Sequence, residues 1–336
     1  MNADPRLGGL LLADKPAGIT SRAVAARAFY ALTQEYSQLR GRRRRGAEPG
    51  DMRYRIGHAG TLDPLATGLL ILLLGRASRL SPYLLGMDKT YLATVRLGAA
   101  TDTLDADGQI TDTAPFPAGP SALADVLPQF TGPIMQVPPI YSAIKRDGQS
   151  LHIAARAGLE VAEPPARPVT IHRLVITGSR WDAPLPEVDL EVGCSSGTYI
   201  RSLVRDMSLA AGTVGHLSAL RRTTVGPFLV SDAMPDVMEA SGAELAGRVI
   251  PPVAALPQLP SVTLTADMAG AVRNGRQPLM EWFAGLEDSA LVQLVTVDGA
   301  MNIGDLVAIA ARGDDGVWRL DTVLPPVCAK DETSCA

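Results

Sequence analysis

One carboxylate stands out among the residues able to do chemistry. Asp63 sits between Leu62 and Pro64 in a loop punctuated by Gly57, Gly60 and Gly68, just ahead of an apolar run at residues 69–74. A carboxylate on a short loop carried by a buried strand is held firmly yet reached from solvent, where nucleophiles and acid–base groups tend to lie. The plain alternative is a structural Asp-Pro turn, a common dipeptide at chain reversals, and these residues alone leave it open. Other chemistries lack their signatures. No Gly-x-x-x-x-Gly-Lys-[Ser/Thr] loop or strand-borne Gly-x-Gly-x-x-Gly offers a phosphate cradle, and no Gly-x-Ser-x-Gly offers a hydrolase elbow. The four histidines (58, 152, 172, 216) lack metal-ligand spacing, and the three cysteines (194, 328, 335) form no Cys-x-x-Cys pair. That disfavours a metal centre and a disulfide framework. A glycosidase wants two carboxylates flanking one bond, and Asp14, in a turn of its own, shows no sign of converging on Asp63.

The elements that must carry Asp63 follow from periodicity. Residues 8–12 are an apolar strand ending in the turn at Asp14-Lys15-Pro16. Thr20 or Ser21 caps a helix through about residue 36. The run 69–74 is short enough for a buried strand. Tyr91, Ala93, Val95 and Leu97 alternate with Leu92, Thr94 and Arg96 as the two faces of a strand, and Val188, Leu190, Val192 and Cys194 alternate as a half-buried strand. Ser195-Ser196-Gly197-Thr198 then turns into a helix with Ile200, Leu203, Val204, Met207 and Ala211 at helical spacing and Gly212 as its C-cap. On it Arg201 and Arg205 share a face away from Leu203, which by itself describes solvated arginines. Residues 115–120 precede a short helix near 121–130, and 136–160 read as an excursion, part loop and part helix. After residue 250 the chain is Pro-rich, then shows short strands broken by Asn274-Gly275, Asp298-Gly299 and Asp315-Gly316, the pattern of a small β-barrel. Strands and helices mix without regular βαβ alternation, so the class is α+β.

The formal net charge of −4 speaks against a polyanion partner until it is divided along the chain. Residues 1–228 carry a net +5 and residues 229–336 a net −9. Seven arginines fall among the sixteen residues 40–55, which read as a mobile basic loop. A solvated charge run is the alternative there. The N-terminus lacks the apolar core of a signal peptide, and the uncharged apolar stretch at residues 64–75 is well short of the roughly 20 residues of a membrane span. A cytoplasmic protein without membrane contact is expected.

The loop Gly57-His58-Ala59-Gly60-Thr61-Leu62-Asp63-Pro64-Leu65-Ala66-Thr67-Gly68 resembles the central motif of the TruB family, the synthases that make pseudouridine at position 55 of tRNA. Further blocks match in order: Leu12-Ala13-Asp14-Lys15-Pro16-Ala17-Gly18, Asp88-Lys89-Thr90-Tyr91, residues 98–108 around Thr101-Asp102-Thr103, and Pro138-Pro139-Ile140-Tyr141-Ser142-Ala143. Gly197-Thr198-Tyr199-Ile200-Arg201-Ser202 and residues 216–223 complete the series. The resemblance covers about residues 8–228 and is weak beyond. It implies a pseudouridine synthase fold, a mixed and largely antiparallel sheet with flanking helices, over residues 1–250. A PUA-like barrel over 251–327 and a tail at 328–336 follow.

The implied reaction breaks the N1–C1′ bond of a uridine, turns the base and rejoins it through C5, with no cofactor and no metal. By resemblance Asp63 is the nucleophile, with attack at C1′ or at C6 left open. Arg201 is its ionic partner, expected to keep the carboxylate ionised despite burial. Tyr91 stacks on the target base, well placed for the later removal of the C5 proton. Tyr199 and Leu220 line the uridine pocket, His58 helps extrude the base, and Lys15 supports the active-site loop. Residues 136–160 correspond to a clamp on the RNA, with Lys145, Arg146 and Arg156 available to phosphates. The implied partner is the T-arm of tRNA, bound by a monomer without guide RNA. Alternatives are the related catalytic subunit of guide-RNA particles, which shares the core motif, and an RNA-binding or tRNA-folding protein whose aspartate is incidental. The chain departs from the family pattern at Ser196, where Lys is usual, at Ala13, where Leu is usual, and in the Arg-rich stretch near 40–50, read as an insertion and an extra RNA contact.

Overall fold

The computed structural model describes residues 8–36, 55–116, 119–141, 145–146, 149–150, 163–182, 184–297 and 303–326. The Arg-rich stretch up to residue 54, most of the 136–160 segment including Arg156, the Asp298-Gly299 turn and the C-terminal tail lie outside these residues.

A nine-stranded sheet forms the body. Its strands are β1 (Gly9–Lys15), β2 (Ile56–Ala59), β3 (Thr67–Leu74), β4 (Lys89–Leu97), β7 (Gly132–Gln136), β10 (Arg167–Arg180), β11 (Glu187–Cys194), β12 (Gly215–Val225) and β13 (Phe228–Leu229). Between β4 and β7 comes the small hairpin β5 (Ala99–Thr101) with β6 (Ile110–Thr113), and between β7 and β10 the pair β8 (Lys145–Arg146) with β9 (Gln149–Ser150). The main order is β1-β3-β12-β4-β11-β10-β7, with β2 on β3 and β13 on β12. All pairings in it are antiparallel except β3 with β12, where Arg221 lies opposite Thr67 and Arg222 opposite Gly68. This parallel step places the end of the Asp63 loop beside the middle of β12.

Helices α1 (Ser21–Glu35), α2 (Ser81–Gly86), α3 (Ser121–Val126) and α4 (Ile200–Ala210) flank the sheet. Of the two caps the sequence offers, Thr20 serves, accepting from the Ala23 N–H, and Ser21 begins α1. The period of two divides the core. Leu11, Ala13, Leu70, Leu72 and Leu74 face α1 and α4 together with Tyr91, Ala93, Val95, Val188, Leu190 and Val192. Leu10, Leu12, Leu69, Ile71 and Leu73 face the other way and pack on Val295, Leu306, Ile309 and Leu324. Strand β3 is therefore apolar from Leu69 to Leu74 because both of its faces are covered, as in a parallel sheet between two layers.

The second layer comes from the C-terminal strands β14 (Ser261–Leu264), β15 (Leu291–Val297), β16 (Ile303–Arg312) and β17 (Trp318–Val323), a mixed four-stranded sheet in that order. Among the described residues it does not close into a barrel. The Asn274-Gly275 pair does not join two strands as expected. It ends the helix Ala266–Arg273, with Gly275 at φ +87° donating to the Val272 carbonyl, because the Thr265 cap and the residues after it favour helix over strand. Arg76, 6% exposed, pairs with Asp305, which also holds Arg273 at 2.8 Å, and donates to the Pro325 carbonyl at 3.1 Å. The Tyr83 hydroxyl donates to Thr322 Oγ1 at 2.9 Å. Shared apolar core and buried ion pair together fasten this sheet to β3. No helix among the described residues is long and apolar enough to cross a membrane.

Candidate active site

The loop from Gly60 to Ala66 joins β2 to β3, and its carbonyls turn inward, where they need donors. Gly60 opens it at φ +88°. Ser21, the first residue of α1, closes on Leu62 from both sides: its hydroxyl accepts the Leu62 N–H at 2.8 Å and donates to the Leu62 carbonyl at 3.0 Å. Lys15 at the end of β1 is wholly buried, and its ammonium donates to the carbonyls of Pro16 (2.9 Å), Pro64 (3.1 Å) and Ala66 (2.6 Å). Three N–H groups meet three carbonyls, which accounts for an ammonium in this place. Burial nevertheless lowers its pKa to about 8, against the charge of Asp63. The Gly18 N–H also reaches the Pro64 carbonyl at 2.8 Å. Asp63 is thus pinned through both neighbours by β1 and α1, while its side chain keeps 39% of its surface open.

Arg201 meets it from the first turn of α4. Its Nε lies 2.9 Å from Asp63 Oδ2 and 3.6 Å from Asp105 Oδ2, an ionic contact without the alignment of a hydrogen bond. Its terminal nitrogens donate to the Thr103 carbonyl at 2.7 Å and the Tyr141 carbonyl at 2.9 Å. Arg201 is 5% exposed rather than solvated, because the 103–105 loop and Tyr141 cover the first turn of α4. Arg205, by contrast, pairs with its neighbour Asp206 at 2.7 Å. Asp105 is held by the Thr103 hydroxyl at 2.6 Å and the Asp107 N–H at 3.2 Å. Two carboxylates therefore share one guanidinium. Burial raises the Asp63 pKa above its ordinary value, Arg201 opposes the rise and Asp105 adds to it. The cation restrains the shift without cancelling it.

Asp63 and Arg201 open onto a pocket of about 300 Å³, at the small end of ligand sites, whose wall includes Tyr91, Tyr199 and Leu220. Tyr91 projects from the buried face of β4, and burial raises its phenol pKa while the nearby Arg222 opposes the shift. Arg222 is 1% exposed and donates to the carbonyls of Leu69 (2.7 Å) and Gly60 (3.0 Å), tying both ends of the Asp63 loop to β12. Tyr199 is fixed through its backbone: its N–H donates to Gln136 Oε1 at 2.8 Å and its carbonyl accepts from Gln136 Nε2 at 3.1 Å. Lys15 stands behind the loop, outside the pocket. His58 on β2 is also outside the lining, half-buried, with Nδ1 unpartnered among the described residues and its pKa lowered by burial and by Arg222.

Ser21, Asp105, Gln136 and Arg222 are not among the site residues the sequence points to. Asp105 and Arg222 stand inside matched blocks and could have been found there, whereas Ser21 and Gln136 act through backbone atoms and leave no trace in a motif. Among the described residues no cluster of three or more His, Cys, Asp or Glu could hold a metal ion.

Similarity to known proteins agrees with this arrangement. The fold is α+β and is shared with a chain of a Cbf5–Nop10–Gar1 complex, at a TM-score of 0.60 and 23% identity over 95% of this chain and 84% of that one. Residues 48–200 match the N-terminal domain model of the TruB family pseudouridylate synthases, and residues 201–253 match the C-terminal domain model of tRNA pseudouridylate synthase B. The tRNA pseudouridine synthase B of Aromatoleum aromaticum is 45% identical over 270 residues, 80% of each chain. That of Burkholderia pseudomallei is 39% identical over 313 residues, 93% of this chain and 95% of the relative. The chain belongs to the TruB family of pseudouridylate synthases.

Proposed function

We propose that this chain isomerises uridine 55 in the T-loop of tRNA to pseudouridine. The observation that carries the reading is Asp63, aimed by a braced loop and paired with the buried Arg201 at a pocket walled by Tyr91. The relatives named tRNA pseudouridine synthase B support the substrate class.

The uridine is extruded from the loop so that its base enters the pocket. Arg201 occupies Asp63 Oδ2, which leaves Oδ1 as the attacking oxygen, and attack at C1′ or at C6 needs that same single ionised atom. The N1–C1′ bond breaks, the detached uracil turns between Tyr91 and Leu220, C1′ joins C5, and the bond from Asp63 to C1′ or C6 breaks to return the free carboxylate. C5 then loses its proton and N1 ends protonated, so atoms and charge balance without an oxidant or a cofactor. Tyr91 and Tyr199 hold the ring in place, and Tyr91 faces the later proton removal. His58, kept neutral beside the pocket, suits filling the space the base leaves. Lys15 positions Asp63 through the turn.

Residues 1–250 are the catalytic part in this reading, and 251–327 a PUA-like module. With a net −9 after residue 228, that module meets RNA through a small patch at most, and the +5 of residues 1–228 carries the phosphate contacts. Residues 40–55 and the 136–160 clamp are the proposed extra contacts. The enzyme works as a cytoplasmic monomer without guide RNA.

Incubating the protein with unmodified tRNA transcript and mapping pseudouridine by position tests this. Product is expected at the T-loop uridine, lost in Asp63→Asn with tRNA binding retained. Absence of product with the unaltered protein refutes the reading.

A further inference from the structure

The cations that line the pocket differ in what they have left to give. Arg201 is committed to Asp63, Asp105 and two carbonyls, and Arg222 to the carbonyls of Leu69 and Gly60. Lys89 is committed to the carbonyls of Leu85 and Met87. Arg167, the first residue of β10, is different. It has no carboxylate partner among the described residues, and it is half-buried where Arg201 and Arg222 are nearly sealed, which puts it at the mouth rather than the floor.

Its guanidinium carbon lies 4.8 Å from the centroid of the Tyr199 ring, and Nη2 donates to the Gly197 carbonyl at 2.8 Å. Nε is buried with no partner among the described residues. Stacking on an aromatic face leaves the N–H groups of a guanidinium directed outward in its own plane, and with Nη2 on Gly197 and Nε buried, Nη1 is the nitrogen left to meet an anion oxygen. The loop facing it, Ser195-Ser196-Gly197-Thr198, carries hydroxyls and no cation. When a nucleotide enters base first, its flanking phosphodiesters stay at the mouth.

We propose that Arg167 is a substrate-binding residue, which grips a phosphodiester flanking the extruded uridine while braced on Tyr199 and Gly197. The proposal rests on the pseudouridine synthase reading for its substrate. It assigns a role to a side chain in the space where Ser196 supplies no charge.

The test is a cycle between protein and RNA chemistry. Wild type, Arg167→Gln and Arg167→Lys are compared on a T-arm stem-loop with a natural backbone, and with an uncharged methylphosphonate at each phosphate flanking the target in turn. Arg167→Gln is expected to raise KM about tenfold with kcat within about twofold, and Arg167→Lys to fall between, as for loss of one charge-assisted contact. One methylphosphonate should weaken wild type by a similar factor and have no further effect on Arg167→Gln. Additive losses at both phosphates, or a fall in kcat at unchanged KM, would overturn the proposal and leave Arg167 as a brace for Tyr199. The same cycle is read in Kd. A wild-type protein that binds but makes no pseudouridine would refute the function while the Kd cycle still decides the role of Arg167.

Discussion

Replacing Lys15 by methionine removes a buried charge and the three hydrogen bonds that hold the turn behind Asp63, while keeping a side chain of similar length. The electrostatic part has a pH signature. Lys15 and Lys89 both have pKa values lowered by burial from 10.5 to about 8. Above pH 8 the folded protein sheds these protons before the unfolded chain does, so the unfolded state holds more protons and stability rises with pH until about 10.5. Integrated from pH 8.0 to 9.0, each lysine contributes about 1 kcal/mol. Cys194, pushed up from 9.0 to about 11 by burial, has the opposite sign and takes back about 0.3 kcal/mol by pH 9. Urea unfolding of the wild type should therefore show a gain of about 2 kcal/mol across this unit, and Lys15→Met a gain of about 1 kcal/mol. The catalytic part is read separately. Loosening the turn should lower kcat by about tenfold or more, since a nucleophile displaced by an ångström forfeits most of its advantage. An equal rise in both proteins would show that Lys15 is not held charged against burial. An unaltered kcat would show that the turn is aimed by Ser21 and Gly18 without it.

Two further outcomes follow from the same geometry. Because burial raises the Asp63 pKa and the proposed reaction needs its ionised form, kcat/KM should fall on acidification with a limb above the ordinary carboxylate value of about 3.9, and a limb at or below that value would contradict the arrangement. Gly68→Ala should destabilise the fold by about 3 kcal/mol or more, measured as unfolding free energy. Gly68 has φ +100° and an added Cβ would lie 2.2 Å from the Arg222 carbonyl oxygen, so a mild loss would mean that β3 and β12 can part at little cost.

The strands and helices nearest the pocket were legible because their patterns are strong. The alternation in β4 and β11, the unbroken apolar run of β3 and the Thr20 cap each state a local preference that the tertiary structure also satisfies. The Asp63 motif likewise marked the carboxylate that opens onto the pocket. Arg201 was legible as a partner by resemblance, although helical spacing alone described it as solvated. The C-terminal region read less well. Its Asn274-Gly275 pair signals a turn in either context, and whether it joins strands or ends a helix depends on what precedes it.

What the sequence determined by itself is therefore which carboxylate is the candidate nucleophile and the class of fold around it, since both reside in contiguous residues whose types restrict the chemistry and the backbone. What the tertiary structure decided is the electrostatic setting of that carboxylate. The pKa of Asp63 is a balance of burial, Arg201 and Asp105, groups that lie 138 and 42 residues away along the chain and meet only because α4 and the 103–105 loop converge on the β2–β3 turn. Electrostatic energies depend on distance in space and on exclusion of water, and neither is written in the spacing of residues.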